Sequence, residues 1–231
     1  MIPNMILQIN ETVQTLAMTQ KAHEISLPIM NLLIKGGWIM AILGLLSVIA
    51  VYIFIERYLI ISKASKDDKN FMNNIRNFIL DGKLSSAKAL CDTNNSPIGR
   101  MIDKGISRLG KPLNDINAAI ENVGKLEISN LEKNLAGLAT ISGASPMLGF
   151  LGTVIGMVRA FYDMSMAGNN INIELLSKGI YQAMITTVGG LIVGITAYIF
   201  YNLLVARVQK VVNLLEIRTS EFMDLLHEPV K

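Results

Sequence analysis

Four polar side chains lie in stretches of the sequence that otherwise hold only apolar and small residues. Thr153 lies in one stretch, and Gln182, Thr186 and Thr187 lie in another. Hydroxyl and amide groups can hydrogen-bond water or a carboxylate, but they do not titrate near neutral pH. These residues could therefore guide a proton, while another group would have to carry it.

The stretches around these residues are long enough to cross a membrane. Residues 135–158 and 179–206 contain no Asp, Glu, His, Lys or Arg, and neither do residues 38–55. About 20 apolar residues span a bilayer core as a helix, and a helix satisfies its own backbone hydrogen bonds in lipid. We therefore expect an all-α membrane protein with three transmembrane helices. They are 37–61, 135–160 and 179–206.

The composition agrees with a membrane protein that has a modest polar part. Charged residues make up 17% of the chain, whereas a soluble domain carries about 25%. The net charge of +3 is small, and we attribute it to membrane topology rather than to nucleic-acid binding. The two histidines and single cysteine provide neither a disulfide nor metal-ligand spacing. No cofactor or metal is expected.

Small residues recur at three- and four-residue steps along the second and third predicted spans. Such residues let helix backbones approach closely in a membrane, where apolar packing alone gives little preference for one neighbour. We expect these spans to pack against partner helices. The predicted packing residues are Pro146, Gly149, Gly152, Gly156, Gly190 and Gly194.

Basic residues flank the predicted spans on one side. Lys63 and Lys66 follow the first span, and Arg207 and Lys210 follow the third. The positive-inside rule places these flanks in the cytoplasm. The remaining segments follow from this orientation. They are an external amphipathic segment at 1–36, a cytoplasmic helical domain at 62–134, a short periplasmic connection at 161–178 and a cytoplasmic helical tail at 207–231.

The N-terminal segment has apolar residues at helical spacing. Ile6, Ile9, Val13 and Leu16 recur at three- and four-residue steps, which predicts a short helix on a membrane surface. A cleaved signal peptide is the alternative, but it needs a basic region before its apolar core. No basic residue precedes Lys21.

Helical periodicity continues on the cytoplasmic side of the second and third spans. Ile116, Ile120 and Val123 form a stripe that leads toward the second span, so we expect one long helix there and a helical bundle below the membrane.

The segment Gly105 to Lys111 matches seven positions of a phosphate-binding loop. Pro112 replaces the Ser or Thr that would hold magnesium, so we interpret it as a helix end.

Two sequence stretches resemble the ExbB/TolQ/MotA family of proton-channel proteins, and its ExbB branch most closely. Residues 140–157, TISGASPMLGFLGTVIGM, resemble the family's second span, and GIYQAMITTVGGLIVGITAYIFYN resembles its final helix. The resemblance implies a pentamer whose second and third helices line a pore around the helices of a small ExbD-like partner. It also implies use of the proton gradient to energise TonB.

The resemblance assigns roles to individual residues. Thr153 and Thr187 match pore-facing threonines, and Pro146 matches a proline near the start of the second-span motif. Several relatives carry glutamate where this chain has Gln182, so no ionisable group on this subunit is implied. Together with Thr186 these residues form the predicted proton pathway. The alternatives are threonine hydroxyls bonded to their own helix and a Gln182 that only hydrogen-bonds between helices.

The expected function is that of an ion-motor subunit in the bacterial inner membrane. With an ExbD-like partner it would use the proton motive force to energise TonB-dependent outer-membrane transport. A TolQ-like subunit, a flagellar-stator-like subunit and a non-conducting scaffold remain alternatives, although the usual stator subunit has four spans. An alternating-access transporter would need inverted repeats, and an enzyme would need a recognisable nucleophile, base or metal cluster. Neither pattern is found.

Overall fold

The structure, a computed structural model, describes residues 37–65, 69–166 and 173–227. Within these ranges the chain forms seven α-helices and no strand, which confirms the predicted all-α class. The predicted amphipathic helix in segment 1–36 lies outside the described residues. The helices are α1 (Gly37–Ala64), α2 (Lys69–Leu80), α3 (Leu84–Thr93), α4 (Pro97–Ile106), α5 (Leu113–Glu132), α6 (Leu135–Met166) and α7 (Ile173–His227).

Three helical stretches of the described chain are long and apolar enough to cross a membrane, as the charge-free runs predict. The first is α1, the second includes α6 and the third lies in α7. With 55 residues and a rise of 1.5 Å per residue, α7 is about 80 Å long, whereas a bilayer core measures about 30 Å. The third span therefore continues far beyond the membrane as a helical extension.

The helix that leads into the second span is interrupted at residues 133–134, where the sequence predicts none. α5 ends at Glu132, and Lys133 adopts an extended conformation with φ −52° and ψ 136°. Asn134 has φ 65° and is the only non-glycine residue with positive φ in the described ranges. Asparagine tolerates this conformation better than most residues. The helix then restarts at Leu135.

The short helices α2 to α4 are separated by turns. Gly110, with φ 89°, follows the end of α4, and only glycine adopts such a φ at little cost. At the start of α4, the Ser96 hydroxyl accepts a hydrogen bond from the Gly99 N–H at 3.1 Å, and Pro97 occupies the first helical position. The segment that resembles a phosphate-binding loop is the end of α4 and its turn.

The helices outside the membrane enclose an apolar core. α4 packs on α5, and both pack on the extension of α7. Burying each large apolar side chain stabilises the fold by about 1.5–3 kcal/mol. This core fixes the position of the two spans that carry the polar residues, at the ends where they leave the membrane. Its fully buried side chains include Ile75, Ile102, Ile120 and Phe222.

Candidate ion-pathway site

α6 and α7 contact each other along the face that carries their small residues. A methyl group at Gly190 would lie 2.6 Å from the Ser145 carbonyl oxygen, and one at Gly149 would lie 2.8 Å from the Thr186 carbonyl oxygen. Those distances are too short for a real Cβ, so a larger residue would push the helices apart. Gly152, Gly156 and Gly194 are equally close to Thr186, Ala183 and Pro146, respectively.

Thr153 of α6 and Thr187 of α7 meet where the glycines bring the two backbones together. Their hydroxyls hydrogen-bond to each other. Each hydroxyl also lies 3.3 Å from the Gly149 carbonyl oxygen, and Thr153 Oγ1 lies 3.4 Å from the Ala183 carbonyl oxygen. The two hydroxyls have two protons to donate, but more than two carbonyl and hydroxyl oxygens lie within hydrogen-bonding distance. The pair can therefore exchange hydrogen-bond partners without moving its side chains far.

The same contacts bear on the simpler interpretation of these threonines. The bond from Thr153 to Gly149 stays within α6, as is common for membrane helices. Thr187, in contrast, reaches across to the Gly149 carbonyl of the other helix. The hydroxyl pair thus joins two helices rather than closing a turn of one.

Thr186 lies beside this pair but has a different environment. It is 2% exposed, and its hydroxyl donates to the Ala183 carbonyl oxygen of its own helix at 2.7 Å. Its side chain packs on Gly152, where a methyl group would lie 2.5 Å from Thr186 Oγ1. Thr186 therefore acts in the helix contact, with its hydroxyl already bonded.

Gln182 is not brought to the threonine pair. Five residues separate it from Thr187, which places the two side chains about 140° apart around the helix. The Gln182 amide instead faces the start of α1, where a methyl group at Gly37 would lie 2.9 Å from its Nε2 atom. Of the four predicted pathway residues, the structure joins Thr153 and Thr187, places Thr186 next to them and sets Gln182 apart.

Two further polar groups lie in the α6–α7 contact without having been selected from the sequence. Ser145 is fully buried, and its hydroxyl has no hydrogen-bond partner among the described residues. Pro146 has no N–H, so the Ser142 carbonyl loses its helical partner. That carbonyl oxygen faces α7, 3.1 Å from where a methyl group at Gly194 would lie. In the sequence, Pro146 is therefore the residue that indicates an unpaired carbonyl at Ser142.

Arg57, near the C-terminal end of α1, makes specific contacts to a neighbouring helix. It is 5% exposed, and its guanidinium donates to the Asn130 carbonyl oxygen at 3.1 Å and to Glu56 at 2.8 Å. A cation at the C-terminal end of α5 stabilises the unpaired carbonyls there. The contact ties α1 to the helix end that precedes the interruption at residues 133–134.

Outside the membrane, the thiol of Cys91 is buried and has low reactivity. Burial, together with the carboxylates of Asp103 and Asp92, raises the pKa of the Cys91 thiol to about 12. Among the described residues, no group of three His, Cys, Asp or Glu side chains could hold a metal ion. The polar chemistry of the site thus rests on hydroxyls, amides and backbone carbonyls.

The sequence that forms these spans also matches a known protein family. The sequence model of the MotA/TolQ/ExbB proton channel family matches residues 93–217, which is more than half of the chain. The chain belongs to this family. With its three apolar helical stretches, it is a multi-pass protein of the inner membrane, and its family is one of transport subunits rather than enzymes.

Individual relatives come from more than one branch of the family. An ExbB homologue of Methanothermobacter thermautotrophicus is 31% identical over 122 residues, 53% of this chain and 43% of that protein. An ExbB-like biopolymer transport protein of Synechocystis is 27% identical over 168 residues, 72% of this chain and 80% of that protein. The Tol-Pal system protein TolQ of Haemophilus influenzae is 36% identical over 101 residues, 44% of each chain.

Proposed function

We propose that this chain is the ion-motor subunit of a complex that uses the proton motive force to energise TonB-dependent outer-membrane transport. Its partners are an ExbD-like protein with one transmembrane helix and a TonB-like protein. The subunit forms a homo-oligomer, a pentamer by family resemblance, with its N-terminus in the periplasm and its C-terminus in the cytoplasm. Family membership, the ExbB relatives and the basic flanks such as Arg207 and Lys210 support this proposal.

The observation that carries the proposal is the threonine pair in spans that lack an ionisable carrier. The charge-free runs of all three spans contain no Asp, Glu, His, Lys or Arg. Use of a proton gradient requires a group that binds a proton on one side and releases it on the other, at about 2.3 kcal/mol per charge for each 100 mV. The carrier is therefore an intramembrane carboxylate on the partner helix.

The hydroxyl pair suits such a carboxylate in both of its protonation states. A hydroxyl can donate to an ionised carboxylate and can accept from a protonated one. Thr153 and Thr187 have alternative acceptors at the Gly149 and Ala183 carbonyls, so they can change partners as the carboxylate gains or loses its proton. The pair would thus stabilise the carboxylate during transfer without itself being ionised.

A TolQ-like role is the second candidate. It is favoured by the TolQ relatives of Haemophilus influenzae and Pseudomonas aeruginosa, which are 36% and 32% identical over their matched parts. The two roles share the same site and differ in the partner that receives the work. A deletion strain distinguishes them, because loss of a TonB-type motor abolishes receptor-dependent uptake, whereas loss of a subunit that serves another partner leaves this uptake intact. A flagellar-stator-like role and a non-conducting scaffold remain further alternatives.

Reconstitution with the partner tests the proposal. The purified subunit is placed in liposomes with and without an ExbD-like single-span protein, and proton uptake is followed with a pH-sensitive dye. We expect gradient-driven flux only when both proteins are present. Replacing the partner's intramembrane Asp with Asn should stop the flux and leave the complex intact. Robust flux from the subunit alone would contradict a carrier on the partner.

A further inference from the structure

A separate cavity of about 300 Å³ lies between α1, α6 and α7, at the end of the spans where α1 begins. This space is large enough for several water molecules or for a small polar group. Apolar residues such as Ile39 and Ile155 form part of the wall. Besides Thr186, whose hydroxyl donates to the Ala183 carbonyl oxygen, four polar side chains line it. They are Arg159, Asp163, Lys178 and Gln182.

These four side chains have no hydrogen bond or ion pair to the part of the chain that the structure describes. Arg159 and Asp163 stand four residues apart on α6, a spacing at which opposite charges often pair, yet they do not. Arg57 and Arg100, in contrast, are held by carbonyl or carboxylate partners. Three donor side chains therefore point into one cavity with their hydrogen-bonding capacity unused.

The charges around the cavity favour an anion. Arg159 and Lys178 contribute two positive charges and Asp163 one negative charge, so the described lining is net positive. A cleft with positive walls concentrates anions and repels cations such as hydronium. Arginine and lysine are also the side chains that proteins use most to bind phosphate.

The position of the cavity indicates where the anion comes from. Arg159 follows the charge-free run 135–158 directly, and Lys178 precedes the run 179–206 directly. Both residues therefore lie where the hydrocarbon core meets the headgroup region. Trp38, which is 65% exposed, lines the same cavity, and tryptophan is typical of this boundary.

We propose that this cavity binds the phosphate of a membrane phospholipid headgroup. Arg159 and Lys178 hold the phosphate, and the Gln182 amide donates to it from the deeper wall. Ile39 and Ile155 contact the glycerol and the first methylene groups. A lipid bound there would connect the start of α1 to the facing ends of α6 and α7. The proposal does not depend on ion conduction, and its test does not measure flux.

Native mass spectrometry of the purified full chain, with any subunits that copurify, measures the retention of added phosphatidylglycerol. The double variant Arg159→Gln, Lys178→Gln should bind it about fivefold more weakly, as expected for the loss of two exposed charge pairs. The matched control is Lys104→Gln, Lys111→Gln, which removes the same charge from the extramembrane region and should leave retention unchanged. Arg159→Lys should retain most of the binding.

Asp163→Asn supplies a test that misfolding cannot imitate. Removal of this carboxylate relieves repulsion of the phosphate, so the variant should retain more phosphatidylglycerol than the wild type. Equal retention by the wild type, the double variant and Asp163→Asn would overturn the proposal. A second arm adds soluble glycerol phosphate. Binding of glycerol phosphate with no retained lipid would keep the phosphate chemistry but overturn a lipid as its source.

Discussion

The α6–α7 contact inside the membrane and the core of the helices outside it use different residues. In the membrane contact, Gly149 and Gly190 bring backbone atoms of one helix against the other. Outside the membrane, large side chains such as Ile120 and Phe222 are completely buried, and the glycine that contacts both, Gly105, meets their side chains rather than a backbone. The two regions are connected, because α7 runs through both and α5 leads into α6.

The solvent explains this difference. In water, burying large apolar side chains drives helices together. In a membrane, the same side chains are surrounded by apolar groups whether they contact lipid or another helix, so packing them together stabilises the contact little. Close approach and hydrogen bonds between helices then decide which helices associate. The membrane contact should therefore be sensitive to added atoms and the outer core to removed atoms. The same close approach brings the Thr153 and Thr187 hydroxyls together.

Enlarging a glycine in the membrane contact should have the largest effect on stability. Gly190→Leu places its Cβ within 2.6 Å of the Ser145 carbonyl oxygen, so α6 and α7 must separate, at about 3 kcal/mol or more. We expect loss of the assembled protein in detergent, measured by size-exclusion chromatography. Gly44→Leu is the control, because a methyl group at Gly44 meets no atom within 4 Å. Equal behaviour of both variants would refute close packing at Gly190.

Truncating a side chain of the outer core should lower the stability by a comparable amount. Phe222→Ala leaves a cavity where the ring is now fully buried, and such changes lower the free energy of unfolding by about 3–5 kcal/mol. Ile217→Ala is the matched control on the same helix, since Ile217 is 56% exposed and should cost about 0.5 kcal/mol or less. Thermal unfolding in detergent gives both values. Similar losses for the two variants would place Phe222 outside the core.

A smaller, pH-dependent effect is expected at Cys91, whose folded-state pKa is raised from 9.0 to about 12. Below pH 9 the thiol is neutral in both states, so its contribution is fully present there. As the pH rises from 9 to 12, only the unfolded thiol ionises, and stability falls. Cys91→Ser should lack this part of the loss in unfolding measured across that range.

The same burial predicts how Cys91 reacts. At neutral pH its thiolate fraction is lower than that of an ordinary thiol by about two to three orders of magnitude, so maleimide labelling should be slow even after the membrane is permeabilised. Ser85→Cys in a Cys91→Ser background is the better topology probe, because Ser85 is exposed. Its labelling in intact spheroplasts by an impermeant reagent would overturn the proposed orientation.

Much of the architecture follows from the sequence because its signals are local. Charge-free runs identify the three spans, and the spacing of residues such as Gly152 and Gly156 identifies the contact face. Pro97 and Gly110 mark the bounds of the short helices. The meeting of Thr153 and Thr187 follows once two small faces are packed together.

Features that depend on distant contacts or on rare backbone conformations do not follow in this way. The burial of Arg57 depends on a carbonyl 73 residues away, which no local pattern indicates. The interruption depends on a positive φ at Asn134, a conformation that asparagine tolerates but adopts in only a minority of cases. The spacing of Gln182 and Thr187 already places their side chains about 140° apart on one helix, although sequence resemblance placed both residues on one pathway. Which neighbour each side chain faces depends on how α7 is rotated against α1 and α6.

The most direct test of the threonine pair compares three variants of the reconstituted complex under a proton gradient. Thr187→Val removes the hydroxyl but keeps the shape, and hydrogen bonds to charged groups contribute about 1.5–3 kcal/mol, so flux should fall about tenfold or more while the complex stays intact. Thr187→Ser should keep most of the flux. Thr196→Val, which removes a hydroxyl bonded to its own helix, should be unaffected. Full flux in a Thr153→Val, Thr187→Val double variant would contradict the proposed role of the pair.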